Sequence, residues 1–146
     1  MTTNAGTHVP MVASWPGVIE AGSVNNNLID MSDFLPTCLD ACGIQASRDF
    51  DGLSFLHQLT GDPGKNREWI YCFYNPRPER TEASYFIRDS RYKLYGDERF
   101  YDLKMDSLEN SPINSPKGTA LKAFNKLSTT LNSLPTSGEK LLQFPE

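Results

Sequence analysis

The sequence predicts an α+β fold in which about four antiparallel strands form a sheet and one C-terminal helix covers it. Four short runs rich in aromatic and β-branched residues, separated by turn residues, predict the strands. These runs are residues 69–74, 85–87, 92–94 and 100–103. Turns as short as Asp89 with Ser90, or Gly96 with Asp97, cannot hold the crossovers that parallel strands need, so the strands form an antiparallel meander.

An apolar stripe after Gly118 predicts the C-terminal helix. The stripe recurs at spacings of four, three, four and three residues, which places its members on one helical face. Its members are Ala120, Phe124, Leu127, Leu131 and Leu134. Lys122 and Lys126 lie off this face, and Pro135 ends the helix. We expect the stripe to lie across the meander.

Ahead of the meander the pattern predicts one strand and two helices. Residues 8–15 form an apolar run without alternation, which is typical of a strand buried on both faces. Pro16 and Gly17 form the turn that ends it. Because a strand needs neighbours to satisfy its backbone groups, we expect this strand to belong to a sheet outside the chain.

The first predicted helix begins with Asp33 as its N-cap and ends at Gly43. Its apolar face is predicted from the i, i+3, i+4, i+7 pattern. The residues of this face are Leu35, Cys38, Leu39 and Cys42. A second, leucine-rich helix is predicted within residues 51–61. The three cysteines, which include Cys72 in a strand, show no zinc-binding spacing, so we expect buried thiols.

Composition limits the classes of partner. The 146 residues include 38% hydrophobic and 22% charged residues, which is the profile of a globular protein. A net charge of -4 argues against a nucleic-acid or anionic-membrane surface. No apolar run approaches the roughly 20 residues that span a bilayer. The N-terminus lacks the pattern of a signal peptide, so we expect a soluble chain whose localisation stays open.

The order of motifs resembles the C-terminal part of the type I sulfatase family, whose fold is similar to that of alkaline phosphatase. The resemblance covers roughly residues 5–113. Its motifs are GTHVP at 6–10, WPG at 15–17, the helix at 30–43 with Pro36 and Thr37, DGLS at 51–54, IRDSRYKL at 87–94 and YDL at 101–103, with Asp106 and Glu109 after them. Each motif is weak alone, and their order and spacing carry the match.

The resemblance implies a hydrolase of sulfate esters or sulfamates, often on carbohydrates. It implies that residues 1–62 are the last strand and helices of a large α/β domain. Residues 63–146 are then the small C-terminal subdomain, with its meander, its helix and a frayed tail. The predicted lone strand and the later meander agree with this division.

The family's catalytic groups are missing from the sequence. The resemblance implies a formylglycine nucleophile, made from Cys or Ser in a C/S-x-P-S/A-R motif, and a calcium ion held by Asp and Asn. None of the three cysteines has a proline two residues later, and Ser14 with Pro16 is followed by Gly17 and Val18 instead of the motif's ending. We therefore expect calcium and formylglycine only in a full-length relative, and no catalytic or metal-binding residue in this chain.

Four residues are candidates for substrate binding. On the resemblance His8 lies beside the edge of the active site, where it either lines a substrate pocket or is an ordinary residue at a strand start. Asn75, Arg77 and Arg80 lie in a Pro-rich loop that in the family often reaches toward the substrate, and the alternative is a solvated loop. Arginine suits sulfated sugars because its guanidinium binds oxyanions in a fork.

A second group of basic residues lies within the predicted sheet. Arg88, Arg91 and Lys93 are interpreted as the polar face of that sheet.

Three hypotheses describe the function of the chain. The first hypothesis is a sulfatase segment from a shortened or split coding sequence, inactive without its N-terminal catalytic portion. The second is a module that binds sulfated glycan without catalysis. The third is a structural piece that forms homo-oligomers through an exposed strand edge.

Overall fold

The computed structural model describes residues 2–45, 49–76 and 83–135. The chain divides into two compact units. One unit combines Met1–Val9 with Tyr71–Glu146, and the other is Pro10–Ile70. These units are defined by contacts within the chain and do not show which residues belong to a larger catalytic domain. The division into residues 1–62 and 63–146 therefore stays a prediction.

Four strands form one sheet in chain order. They are β1 (Ile70–Tyr74), β2 (Ser84–Arg88), β3 (Tyr92–Tyr95) and β4 (Phe100–Asp102). Phe86 pairs with Tyr95 across β2 and β3, and Lys93 pairs with Tyr101 across β3 and β4. The Asp89 carboxylate closes the β2–β3 turn by accepting the Tyr92 N–H at 2.6 Å. The predicted antiparallel meander is confirmed.

The C-terminal helix covers one face of this sheet. This helix, α4 (Gly118–Ser133), packs on β2 and β3. Leu127 and Leu131 of its predicted stripe are buried, and Lys122 and Lys126 are exposed. Phe124 meets Phe100 of β4 edge to face, with ring centroids 5.3 Å apart. The helix and its apolar face are therefore as predicted, which confirms the α+β class.

The opposite face of the sheet is buried as well. Phe86, Tyr95, Tyr101 and Leu103 form a hydrophobic cluster there, with Cys72 packed against it. Lys93 shares this face and is 0% exposed. The prediction that places Lys93 on a polar face of the sheet is wrong, because the rings of Phe86 and Tyr95 line this face and other parts of the chain cover it.

The other unit begins its helical part with a capping box. Its elements are a 3₁₀ turn (Met31–Asp33), α2 (Phe34–Ala41) and α3 (Leu56–Thr60), and Gly61 in the left-handed conformation follows α3. Asp30 accepts the Ser32 N–H at 2.9 Å, and Asp33 accepts the Asp30 N–H at 2.8 Å. Asp30 thus caps the 3₁₀ turn, whereas Asp33 occupies the predicted N-cap position of α2 without a side-chain bond to the first turn of that helix. The stop at Gly43 is confirmed by its φ of +65°.

The predicted apolar face of α2 is wrong for Leu35, Cys38 and Cys42, whereas its fourth member, Leu39, is half-buried. Thr37 is buried, donates to the Asp33 carbonyl at 2.6 Å and accepts the Phe55 N–H at 3.0 Å. These bonds turn the opposite side outward, so Leu35 is 49% exposed and Cys38 and Cys42 are exposed. The prediction of buried thiols is therefore wrong for these two cysteines. Cys72 is half-buried.

Residues 8–15 form no strand, so the predicted strand buried on both faces is wrong. Val9 is 76% exposed and Val12 is 93% exposed. No strand among the described residues lies beside this segment, so its backbone cannot enter a ladder of hydrogen bonds. The strand edge that suggested homo-oligomers is not formed, and self-association stays a prediction.

The described ranges contain no helix of the length and apolar character that crossing a bilayer requires.

Candidate functional site

A buried polar network ties residues 2–8, the N-terminal segment, to the sheet face opposite α4. We call it the anchor network, and its side chains are those of Asn4, Arg88, Lys93, Tyr95 and Glu109. At its centre the Lys93 ammonium donates to Glu109 Oε1 at 2.8 Å and to the Thr2 carbonyl at 2.6 Å. The Lys93 side chain is 0% exposed and the Glu109 side chain 3%.

Glu109 joins three partners through its two oxygens. Oε1 accepts the Asn4 N–H at 2.6 Å as well as the Lys93 ammonium. Oε2 accepts the Tyr95 hydroxyl at 2.5 Å. The Glu109 backbone has a φ of +59°, in a region that residues other than glycine rarely adopt. Such strain persists where the surroundings over-determine a residue, and these three bonds do so here.

Aromatic rings complete the surroundings of the ammonium. Lys93 Nζ lies 4.0 Å from the centroid of the Phe86 ring and 4.8 Å from that of Tyr95. Burial lowers the pKa of Lys93, and the hydrogen bond that Lys93 donates to Glu109 opposes that shift. Burial, followed by the bond to Glu109, raises the pKa of Tyr95 well above its usual value. The network therefore holds a desolvated ion pair beside a neutral phenol.

The N-terminal segment is held by further bonds at the beginning of its first turn. Asn4 Oδ1 accepts from Arg88 Nη1 at 3.0 Å, and Asn4 Nδ2 donates to the Ser107 carbonyl at 3.4 Å. The hydroxyls of Thr2 and Ser84 lie 2.8 Å apart. Burial lowers the pKa of Arg88. Strand β2, strand β3 and the loop after β4 thus all contact this segment.

One predicted site residue, His8, follows directly on the anchored turn. The helix α1 (Asn4–Thr7) ends at His8, whose N–H donates to the Asn4 carbonyl at 2.8 Å. The His8 side chain is exposed. It is therefore available to solvent, at the end of a segment whose beginning is buried.

The other predicted site residues belong to the loop after β1. Asn75 follows β1, and its Oδ1 atom is buried without a hydrogen-bond partner among the described residues. Arg77 and Arg80 lie outside the described residues. The structure therefore places His8 and Asn75 in the same compact unit and gives no position for the two arginines.

Sequence reasoning missed Lys93 and Glu109 as partners. The sequence assigns Lys93 to a polar face because basic and aromatic residues alternate around it. Lysine is also almost never fully buried unless it is paired. The signal that points inward is its strand register, since Lys93 alternates with Tyr92 and Leu94 and so shares a face with Tyr95. Glu109, 16 residues further along the chain, carried no comparable signal.

The described residues do not fit the family's metal site. No group of three or more His, Cys, Asp or Glu side chains lies close enough to hold a metal ion in the ranges 2–45, 49–76 and 83–135. We therefore assign no step to calcium or formylglycine in this chain. That these groups occur only in a full-length relative stays a prediction.

Comparison with known proteins matches this architecture to one family. The family model described as N-sulphoglucosamine sulphohydrolase, C-terminal, matches residues 1–136. An ulvan-active sulfatase from Formosa agariphila is 34% identical over 110 residues, which are 73% of this chain and 22% of the relative. An N-acetylglucosamine-6-O-sulfatase from Bacteroides thetaiotaomicron is 29% identical over 116 residues, 72% of this chain and 21% of the relative.

A solved structure supports the same conclusion. BT4656, in complex with its substrate D-glucosamine-2-N,6-O-disulfate, superposes with a TM-score of 0.55 at 28% identity. The match covers 69% of this chain and 22% of BT4656. The chain thus spans about a fifth of the length of the relatives it matches. The sheet, its covering helix and the matched residues show that the chain belongs to the sulfatase family and corresponds to its C-terminal region.

Proposed function

We propose that this chain is the substrate-facing C-terminal part of a sulfatase that acts on sulfated carbohydrate. In this role it completes the fold and one wall of the substrate pocket, and an N-terminal catalytic portion supplies the nucleophile and the metal site. The names of the relatives support the substrate class, since they act on ulvan or on an N-acetylglucosamine sulfate. The sugar in the BT4656 complex carries two sulfates.

The observation that carries the proposal is that one compact unit holds both His8 and Asn75. On the family resemblance, His8 lies beside the edge of the active site. Asn75 opens the loop that contains Arg77 and Arg80. A unit of this kind joins a group at the edge of the reaction centre to a loop of oxyanion-binding residues.

The chemistry of that loop suits a sulfated sugar. Two guanidinium groups bind sulfate oxygens through paired N–H donors, with shape specificity as well as charge. An asparagine carboxamide adds an acceptor for a sugar hydroxyl and a donor for a sulfate oxygen. The loop therefore contributes to substrate binding, and the bond-breaking step belongs to the catalytic portion.

The test expresses the reading frame extended upstream of Met1 and measures sulfate release from sulfated glucosamine in the presence of calcium. We expect an in-frame catalytic portion with a Cys/Ser-x-Pro-x-Arg motif, and turnover that this chain alone does not give. In the extended polypeptide, the double variant Arg77→Ala/Arg80→Ala is expected to raise KM more than it lowers kcat. The control is Arg99→Ala, which removes an exposed arginine paired with Asp97 at the β3–β4 turn.

Two outcomes contradict the proposal. The first is sulfate release by the isolated chain, which requires a nucleophile that the sequence lacks. The second is an extended polypeptide that releases sulfate equally well with and without the two arginines, which removes the loop from the substrate site.

A second function, a module that binds sulfated glycan without catalysis, is favoured by one observation. The sheet of this unit is covered on both faces by the unit's own residues, so its fold does not need a catalytic portion to bury its core. Saturable, salt-sensitive binding of heparin by the isolated chain supports this function, provided that the double variant Arg77→Ala/Arg80→Ala loses the binding. Absence of binding together with activity of the extended polypeptide eliminates it.

A further inference from the structure

We propose that Lys93 and Glu109 are positioning residues that fix the N-terminal segment, and with it His8, on the unit that carries the Asn75 loop. Neither residue needs to touch substrate for this role. Its consequence for substrate rests on the proposed function, whereas the positioning itself concerns only this chain.

The two residues bind backbone atoms of the segment rather than its side chains. Lys93 donates to the Thr2 carbonyl, and Glu109 accepts the Asn4 N–H. Bonds to backbone groups on either side of Thr3 set the path of the chain itself. The segment therefore enters its first turn in a direction that Lys93 and Glu109 determine.

A single hydrogen-bonded turn connects this anchor to His8. The Thr7 N–H donates to the Thr3 carbonyl at 3.1 Å, and the His8 N–H donates to the Asn4 carbonyl at 2.8 Å. Because residues in a helical turn move together, the position of Asn4 determines that of His8. Arg88 and Ser107 hold the Asn4 side chain from a second direction, which prevents the turn from rotating about its anchor.

A buried ion pair is in general a weak source of stability compared with a well-packed apolar pair. Apolar groups of similar volume often replace a buried ion pair without loss of stability, because desolvation of the two charges offsets their attraction. The strained backbone of Glu109 adds a further cost. What the pair supplies, and an apolar pair does not, is directed bonds to two backbone groups of the N-terminal segment.

The test measures amide hydrogen exchange of the full chain under conditions where each variant stays folded. In Lys93→Met we expect exchange of the Asn4, Gly6, Thr7 and His8 amides to rise roughly tenfold or more, the factor that loss of one charged hydrogen bond brings. The amides of β4 exchange at the rate set by global stability. The control, Arg91→Ala, removes an exposed guanidinium that pairs with the half-buried Asp102 carboxylate next to β3, and it leaves the N-terminal amides unchanged.

A second variant covers the case in which Lys93→Met does not fold. Lys93→Met with Glu109→Gln leaves no unpaired buried charge, and the glutamine carboxamide still accepts the Asn4 N–H. We expect this variant to fold and its N-terminal amides to exchange faster than those of β4. Exchange that rises by the same factor in the N-terminal segment and in β4 overturns the proposal, because it indicates a purely structural role.

Enzyme kinetics separate this proposal from the proposed function. In the extended polypeptide, the double variant lowers kcat/KM at full folded fraction if the position of His8 matters to substrate. Local release of the amides without any sulfatase activity in the extended wild type supports positioning and overturns the proposed function. Uniform exchange in an active enzyme overturns positioning and leaves the proposed function intact.

Discussion

Lys93 and Glu109 form an ion pair in which Nζ lies 2.8 Å from Oε1 and both side chains are almost completely withdrawn from water. Arg91 and Asp102 form a pair close by in the sequence, with 44% of the Arg91 side chain exposed. The two pairs have similar chemistry and different surroundings. Their comparison isolates the effect of burial on the energy of an ion pair.

Lys93→Met is expected to lower the free energy of unfolding by about 3–5 kcal/mol, because it leaves the Glu109 carboxylate buried without its counter-charge. Arg91→Ala is expected to cost less than Lys93→Met, since 44% of the Arg91 side chain is exposed although Asp102 is only 12% exposed. Urea unfolding followed by circular dichroism measures both. Equal losses in the two variants contradict the role assigned to burial.

The Asp33 carboxylate is expected to make the free energy of unfolding sensitive to acid. Burial raises the pKa of this carboxyl group. The hydrogen bonds from Arg67 and from the Leu53 and Asp30 amides lower the pKa by more than burial raises it, so the net pKa lies below the usual value. A carboxyl with a lowered folded-state pKa contributes stability above its unfolded pKa, near 4, and loses it as the pH falls through the folded value. We therefore expect the urea midpoint to fall as the pH is lowered below about 4.

Asp33→Asn separates this carboxyl from the others. The variant is expected to be less stable at pH 7 and to show a shallower decline in its urea midpoint below about pH 4, because asparagine does not titrate. Asp51→Asn, at an exposed position nearby, serves as the control and retains the wild-type slope. An unchanged slope in Asp33→Asn assigns the acid sensitivity to other groups.

The sheet and α4 follow from the sequence because their signals are local. Alternating aromatic residues, short turns and the stripe that includes Phe124 and Leu127 each describe contacts within one unit. The failed predictions involve contacts that the local pattern does not contain. The direction in which α2 faces depends on bonds from Thr37 to Phe55, and residues 8–15 have no neighbouring strand to pair with.

The candidate site shows the same limit. The position of His8 was expected from a motif, whereas its anchor joins residues far apart in the chain. Asn4 and Glu109 are separated by 105 positions, and Thr2 and Lys93 by 91. No period or spacing encodes such pairs, because each is determined by the register of the sheet and the path of the loop after β4.

Leu127 is expected to be the most sensitive position tested on α4. Its side chain is 1% exposed beneath the helix, so Leu127→Ala removes buried methyl groups and leaves a cavity, at a cost of about 2–5 kcal/mol. Asn125→Ala, on the exposed side of the same helix, is expected to change the stability by no more than about 0.5 kcal/mol. Thermal unfolding by circular dichroism measures both. Comparable losses in the two variants contradict the assigned face of α4.

The exposure of the cysteines predicts their reactivity with a thiol reagent. Cys38 and Cys42 are exposed on the outer side of α2, whereas Cys72 is half-buried against the cluster formed with Phe86. Because access limits reaction with a bulky disulfide reagent, two thiols of the native chain are expected to form mixed disulfides rapidly, with two equivalents of the reagent's thiolate as the leaving group. The third equivalent follows slowly, or at once in urea.

Single serine variants assign these equivalents. Cys38→Ser and Cys42→Ser are each expected to remove one rapid equivalent, and Cys72→Ser to remove the slow one. Three slow thiols indicate that α2 buries the apolar face that the sequence pattern predicted, and that the polar contacts of Thr37 do not set its direction. A rapid reaction of Cys72 indicates instead that the cluster opposite α4 is open to solvent, which contradicts the burial on which the Lys93–Glu109 pair depends.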